Sequence, residues 1–262
     1  MLEIHRLSVR RAARTVFSDL SLTLPRGSMT ALIGKNGCGK STLLSAIGGT
    51  CPYEGEILLD GIPTSALSPK ELAKRMSHLP QTLAAPHMTV EELVRLGRHP
   101  HVGMLSRPTD ADDTAVRTAM AQADVTRLSS RYLDEISGGE RQRAYLAMLL
   151  SQDAPLWLLD EPTTYMDPSV AAHFTALLTR LKQEHAKTLL VAMHDLSSAV
   201  RFADHIALLD GGRLAFFGTT EDCLSTDAIE RTFSVRRLEA HGETFFIGEP
   251  FTKISDERNI HQ

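Results

Sequence analysis

Residues 34–41 read Gly34-Lys35-Asn36-Gly37-Cys38-Gly39-Lys40-Ser41 and fill every fixed position of the pattern G-x-x-x-x-G-K-[ST]. A buried-strand pattern, Met29-Thr30-Ala31-Leu32-Ile33, leads into this stretch. Thr42-Leu43-Leu44-Ser45-Ala46-Ile47 continues it at helical spacing. Strand, glycine loop and helix in that order make a phosphate cradle. The glycines let successive backbone N–H groups turn inward, and the helix N-terminus adds partial positive charge. In that setting Lys40 reaches the β- and γ-phosphates of a nucleotide and the Ser41 hydroxyl ligates Mg²⁺. A glycine turn without a ligand is the bland alternative, and the ordered strand and helix on either side count against it.

Working outward, Leu156-Trp157-Leu158-Leu159 and Thr188-Leu189-Leu190-Val191-Ala192-Met193 are also short, nearly continuous apolar runs. Such runs fit strands buried on both faces, as in parallel sheets, so the expected class is α/β. The first run delivers Asp160 and Glu161 at its C-terminal end, where open α/β sheets bind ligands. There Asp160 would hold Mg²⁺, directly or through water, and Glu161 would polarise the attacking water; a solvated strand end is the plainer reading of that pair taken alone. Glu56-Ile57-Leu58-Leu59-Asp60-Gly61 and the hairpin pattern of residues 205–218 predict antiparallel strands instead. Between about 87 and 153 the strand signal vanishes. Thr89-Val90-Glu91-Glu92 reads as a capping box, and Val116, Ala119, Met120 and Ala123 recur at helical spacing. A helical insertion over 87–153 is therefore expected, followed after 221 by a turn-rich extension to 262 of unassigned role.

Ser137-Gly138-Gly139-Glu140-Arg141-Gln142-Arg143 has two readings. Ser-x-x-Glu ahead of a helix is itself a capping box. The two glycines resist that as a full account, because each costs about 1 kcal/mol relative to Ala inside a helix. A phosphate approaching the backbone at this second helix N-terminus explains them.

Composition excludes several classes. A chain of 262 residues with 42% hydrophobic and 23% charged residues is long enough for a sizeable core and too apolar for disorder. The net charge of -4 supplies no global basic field, so no nucleic-acid partner is expected. No stretch approaches the roughly 20 apolar residues of a membrane span. Met1-Leu2-Glu3-Ile4-His5-Arg6 has an early acid and no apolar core, so a secretory signal is not expected. Cys38, Cys51 and Cys223 show no CxxC pattern and read as small residues in a reducing compartment. His99-Pro100-His101 lacks the further converging ligands that zinc requires.

The loop at 34–41, Gln81 after Leu79-Pro80, Ser137–Glu140, Leu156–Glu161, Met166-Asp167 and His194 occur in the order of the ATP-binding cassette ATPases, and the resemblance spans roughly residues 2–220. It implies a P-loop, RecA-like core with a parallel sheet, an antiparallel β subdomain and a helical subdomain. It also implies a head-to-tail dimer, with ATP held between the loop Gly34–Thr42 of one copy and Ser137, Gly138, Gly139 and Glu140 of the other. Gln81 would contact Mg²⁺ or the lytic water, Glu161 would be the catalytic base, and His194 would hold the γ-phosphate. Asp167 would link the two sites across the dimer. The aromatic that usually stacks on adenine falls near Arg11 in this sequence, where Arg10–Arg14 offers a guanidinium plane and Val16 an apolar contact.

Gly97–His101, Gly103–Arg107 and Glu161–Asp167 resemble the ferric-siderophore importers, a branch shared with cobalamin and haem importers. That resemblance implies an ATPase subunit on the cytoplasmic face of the inner membrane. Its partners would be two permease subunits and, indirectly, a substrate-binding protein. A soluble single-cassette ATPase serving iron–sulfur assembly is the rival reading.

Overall fold

The computed structural model describes residues 1–11, 14–102, 107–164 and 166–248. Ala12-Ala13 within the Arg10–Arg14 motif, Gly103–Ser106 and Tyr165 of the branch motifs, and 249–262 of the C-terminal extension lie outside the described residues.

The elements follow in order: β1 (Leu2–Arg11), β2 (Arg14–Leu24), β3 (Met29–Gly34), α1 (Lys40–Ile47), β4 (Glu54–Leu59), β5 (Ile62–Pro63), α2 (Pro69–Arg75) and β6 (Met76–Leu79). A helical stretch comes next, with α3 (Val90–Leu96), α4 (Asp110–Gln122) and α5 (Gly138–Gln152). The core resumes with β7 (Leu156–Asp160), α6 (Pro168–His185), β8 (Thr188–Ala192), α7 (Leu196–Phe202), β9 (His205–Asp210) and β10 (Arg213–Thr219). The chain closes with α8 (Thr220–Leu224), α9 (Ala228–Phe233), β11 (Val235–Ala240) and β12 (Glu243–Gly248).

The central sheet has the order β10-β9-β3-β8-β7-β6, parallel throughout except for the antiparallel edge strand β10. Its interior strands β3, β7 and β8 are buried at every position, as their continuous apolarity predicts. Alternate side chains feed two cores. Trp157 and Leu159 pack with α3–α6 on one face. Leu156 and Leu158 pack on the other with α1 and a second, antiparallel sheet of order β2-β1-β4-β5. The expected α/β architecture with an antiparallel subdomain and a helical stretch is what the chain adopts.

The helical stretch is built from local signals. α3, α4 and α5 each begin with a full capping box, Thr89 with Glu92, Thr109 with Asp112 and Ser137 with Glu140. Val90, Leu93 and Val94 of α3 and Val116, Ala119 and Met120 of α4 are buried beside α5. Arg98 ties the unit together, donating to Asp112 at 2.9 Å and to the Ser151 carbonyl at 2.6 Å. The Thr109 N–H and hydroxyl, helped by Arg98, hold the Asp112 carboxyl down at about 2. His101 spends its Nε2 on the carbonyl of Gln152, 2.8 Å away. Residues 220–248 form two short helices and a hairpin, whose β12 packs on α7. Among the described residues no helix is long and apolar enough to cross a membrane.

Candidate functional site

Four strands of the central sheet deliver chemistry at their C-terminal ends. β3 ends at Gly34 and opens into the phosphate loop. β7 ends at Asp160 with Glu161 beyond it, β8 leads to His194, and β6 leads to Gln81. Because β3, β8, β7 and β6 are neighbours and parallel, all four ends lie along one edge.

Gly39 is the residue before α1 and adopts φ 108. A Cβ there would meet Phe17 Cζ at 2.5 Å and Val16 Cγ1 at 2.7 Å, so this position needs glycine on two counts. No side chain caps α1 and no acid stands in its first turn, so its N–H groups and dipole are left for an anion. Lys40 is buried; its Nζ donates to the Gly34 carbonyl at 3.0 Å and lies 3.7 Å from Glu161 Oε1. Ser41 Oγ donates to Asp160 Oδ1 at 3.1 Å across 119 residues of sequence. Burial, with the Glu161 charge adding to it, pushes the Asp160 carboxyl up against the opposing Ser41 bond and Lys40. Burial likewise pushes the Cys38 thiol up, against the pull of Lys40.

Glu161 is the hub. It is 7% exposed, and its backbone sits at φ 51, in the left-handed region that non-glycine residues seldom occupy. Gln81 Nε2 donates to its Oε2 at 2.6 Å, and His194 Nε2 lies 2.5 Å from the same oxygen. The carboxylate is thus aimed by an amide, an imidazole and an ammonium drawn from three separate segments.

These groups line one cleft of about 650 Å³. Asn36 to Thr42, Gln81, Glu161 and His194 line it together with Arg11, Arg14, Thr15, Val16 and the Gly211-Gly212 turn. Gly34, Lys35 and Asp160 stand behind the lining. Gly34 accepts from Lys40, the Lys35 carbonyl accepts from the Cys38 N–H, and Asp160 is reached through Ser41. Arg14 belongs to the Arg10–Arg14 stretch expected at the base, whereas Thr15, Gly211 and Gly212 are lining residues that sequence reading did not assign to the site. Gly212 is the readable one in hindsight, because a Cβ there would meet the Val16 carbonyl at 2.4 Å and bar the β9–β10 turn from closing on β2.

Ser137, Gly138, Gly139, Glu140 and Asp167 line no part of this cleft. Ser137 caps α5 and Glu140 answers it, so the plainer reading of this segment is true as geometry. It leaves the glycines unexplained. Neither has a positive φ; a Cβ on Gly138 would meet nothing within 4 Å, and one on Gly139 only Val170 at 3.8 Å. Asp167 precedes α6, is exposed, and makes no capping bond with its side chain.

The model of the ABC transporter family matches residues 17–164. The ferric enterobactin transport ATP-binding protein FepC of Escherichia coli K12 is 39% identical over 224 residues, covering 85% of this chain and 83% of that one. The hemin import ATP-binding protein HmuV of Pseudomonas fluorescens Pf0-1 is 39% identical over 254 residues, covering 93% and 96%. A metal-chelate type ABC transporter solved in an inward-facing conformation superposes with a TM-score of 0.80 at 26% identity, covering 96% of this chain and 98% of that one. A dimeric ATP-binding cassette in a post-hydrolysis state with ADP and phosphate superposes with a TM-score of 0.72 at 25% identity, covering 84% and 99%. With its cleft, its motifs and these relatives in agreement, the chain belongs to the ABC transporter family and is one of its ATPases.

Proposed function

We propose that this chain powers a membrane importer of ferric siderophores, working as a head-to-tail pair in which each copy completes the other's nucleotide site. One observation carries the pairing. The α5 N-terminus has the glycines of a phosphate-binding end, faces open space, and lies outside the cleft that holds every other nucleotide-binding motif. A second copy supplying Ser137, Gly138, Gly139 and Glu140 to the mouth of that cleft gives those residues a use, with Asp167 between the two sites.

Within one copy the geometry supports the following roles. The loop from Gly34 to Thr42 wraps the phosphates, and Lys40 exchanges its contacts with Gly34 and Glu161 for the β- and γ-phosphates. Glu161 takes the proton of the attacking water, whose oxygen bonds to the γ-phosphorus as the bridging oxygen leaves with ADP. Gln81 and His194 fix the carboxylate's direction, and His194, 44% exposed, faces the γ-phosphate. Most of the rate gain is positioning and charge stabilisation. Ser41 Oγ and Asp160 Oδ1, 3.1 Å apart, are hard oxygen donors that fit Mg²⁺, and the amide oxygen of Gln81 is left to join them. When bound, the ion neutralises charge developing on the β- and γ-phosphate oxygens. Arg11 and Val16 flank the adenine.

The helical stretch 87–153 acts as the moving subdomain that reports the Gln81 segment to two permease chains at the cytoplasmic face of the inner membrane. A substrate-binding protein hands cargo to those permeases, and β12 braces α7, which begins two residues after His194. Haem is the second cargo reading, favoured by the longer span of the HmuV alignment relative to FepC. Affinity purification from detergent-solubilised membranes tests the assembly: two polytopic permease chains should co-purify, and recovery of soluble iron–sulfur assembly proteins alone would replace the importer reading. Growth of a deletion strain on a ferric siderophore or on haem as sole iron source separates the cargoes.

A further inference from the structure

Gln81 reaches Glu161 from a stretch of chain that has little else to hold it. Among the described residues no backbone hydrogen bond joins residues 81–85 to another segment, and the β6 ladder ends at Leu79. Tyr145 supplies what the backbone does not: its Oη donates to the Ala84 carbonyl at 2.9 Å, across 61 residues of sequence. Tyr145 stands on α5, eight residues beyond Ser137, or about 12 Å along the helix. Its half-buried ring packs against the same core as Leu83 and Met88. Burial pushes the Tyr145 phenol up, so the hydroxyl keeps the proton it donates. The chain beyond Ala84 is tied to the same unit. The His87 ring stacks on Tyr132 at 4.1 Å, and its Nδ1 lies 3.2 Å from Asp134 Oδ2. The Leu133 N–H donates to the Met88 carbonyl at 3.0 Å, and Arg141 of α5 donates to the Leu133 carbonyl at 3.1 Å.

The stretch is thus pinned at Gln81 to the nucleotide site and, from Ala84 onward, to α5 and the loop before it. Three residues of chain reach at most about 10 Å, so where Ala84 is held limits where Gln81 can stand. Gln81 in turn aims the Glu161 carboxylate from 2.6 Å, and a reacting group misplaced by about 1 Å loses much of its effect. From this placement we infer that Tyr145 is a positioning residue for hydrolysis: its hydroxyl fixes Ala84 to α5, and through Gln81 it fixes the aim of Glu161. Neither Tyr145 nor Ala84 lines the cleft, so the hydroxyl acts on turnover and not on nucleotide binding. This rests on the roles proposed above for Gln81 and Glu161. The chemistry is unchanged: Tyr145 keeps its proton throughout, and the water proton passes to Glu161.

The test measures phosphate release from ATP by the full chain with Mg²⁺. Tyr145→Phe keeps the ring and removes the donor. Its kcat should fall about three- to tenfold, the weight of one hydrogen bond, with KM for ATP within about twofold of wild type. Gln81→Ala supplies the decisive background. If Tyr145 acts through Gln81, adding Tyr145→Phe to Gln81→Ala costs nothing further, whereas a hydroxyl that only stabilises the fold costs the same factor in both backgrounds. Single-turnover release at excess enzyme reads both Gln81→Ala proteins even where they turn over slowly. Wild-type kcat in Tyr145→Phe would overturn the inference, as would equal losses with and without Gln81, or a loss that falls on KM alone. Displacement of a ribose-labelled fluorescent ATP should show the same nucleotide affinity for Tyr145→Phe and wild type. Wild-type release from Glu161→Gln would instead strike the hydrolytic reading on which the tether depends.

Discussion

The chain contains two glycine-bearing helix N-termini suited to phosphate, and they are finished in opposite ways. The end of α1 has a left-handed glycine, no capping side chain and no acid, and it is packed tightly against Val16 and Phe17 of its own chain. The end of α5 is closed by a serine–glutamate capping box, holds a carboxylate in its first turn, and looks onto open space. An uncapped end keeps its donors for a ligand; a boxed end holds its shape without one. On the proposed reading the first is a phosphate cradle assembled within one copy, and the second is a preformed surface that each copy brings to the other's cleft.

The sharpest probe of the complete end is Glu161→Gln. It should reduce phosphate release by about 10²–10⁴-fold, the scale of a general base, while fluorescent-nucleotide titration finds binding retained. Wild-type turnover in that variant would remove Glu161 from the role. Ser137→Arg probes the other end. Hydrolysis should drop about 100-fold, as when preorganised donors to a developing charge are lost, with single-chain nucleotide affinity held. Light scattering should show no ATP-induced dimer of this variant; full activity would mean that α5 serves no second copy.

Alanine at the two glycine positions sets the ends directly against each other. Gly39→Ala must hold φ 108 and displace Phe17, so denaturant unfolding should register a loss of about 1–3 kcal/mol. Gly138→Ala meets nothing and should leave stability equal or higher, by up to about 0.5 kcal/mol, while still lowering hydrolysis. If Gly138→Ala destabilises instead, α5 needs its glycine for folding and the contrast fails.

The smallest effect concerns pH. The Ser137 hydroxyl and N–H lower the Glu140 carboxyl below its ordinary 4.5. A lowered carboxylate stabilises fully above its ordinary value and loses that contribution as pH falls through the folded value. Thermal unfolding of wild type and Glu140→Gln should therefore differ by well under about 1 kcal/mol near neutrality and converge as pH drops below 4.5. A gap that widens on acidification would show that the box is not held by the ionised Glu140.

Much of this was readable along the chain, unevenly. The strands β3, β7 and β8 announced themselves by unbroken apolarity, because burial on both faces leaves no other composition workable. β1 and β2 gave no comparable signal. Their pairing carries register shifts between Ile4 and Leu7 and between Leu7 and Val9, with Arg6 at φ 49 and Asp19 at φ 59, so the two-residue alternation is interrupted. Arg11, Arg14 and Val16 of these strands still read as base contacts, but Thr15 and the Gly211-Gly212 turn beside them do not.

Sequence alone determined the phosphate loop, the acid pair after β7 and the boxed start of α5, because each is a local device whose spacing along the backbone is its geometry. Only the tertiary structure decided that Gln81 and His194 close on one oxygen of Glu161 and that Ser41 meets Asp160, since that convergence depends on the strand order β3-β8-β7-β6. It also decided that α5 starts outside the cleft. A capping box looks the same wherever its helix is placed, and placement is set by which faces the two cores bury.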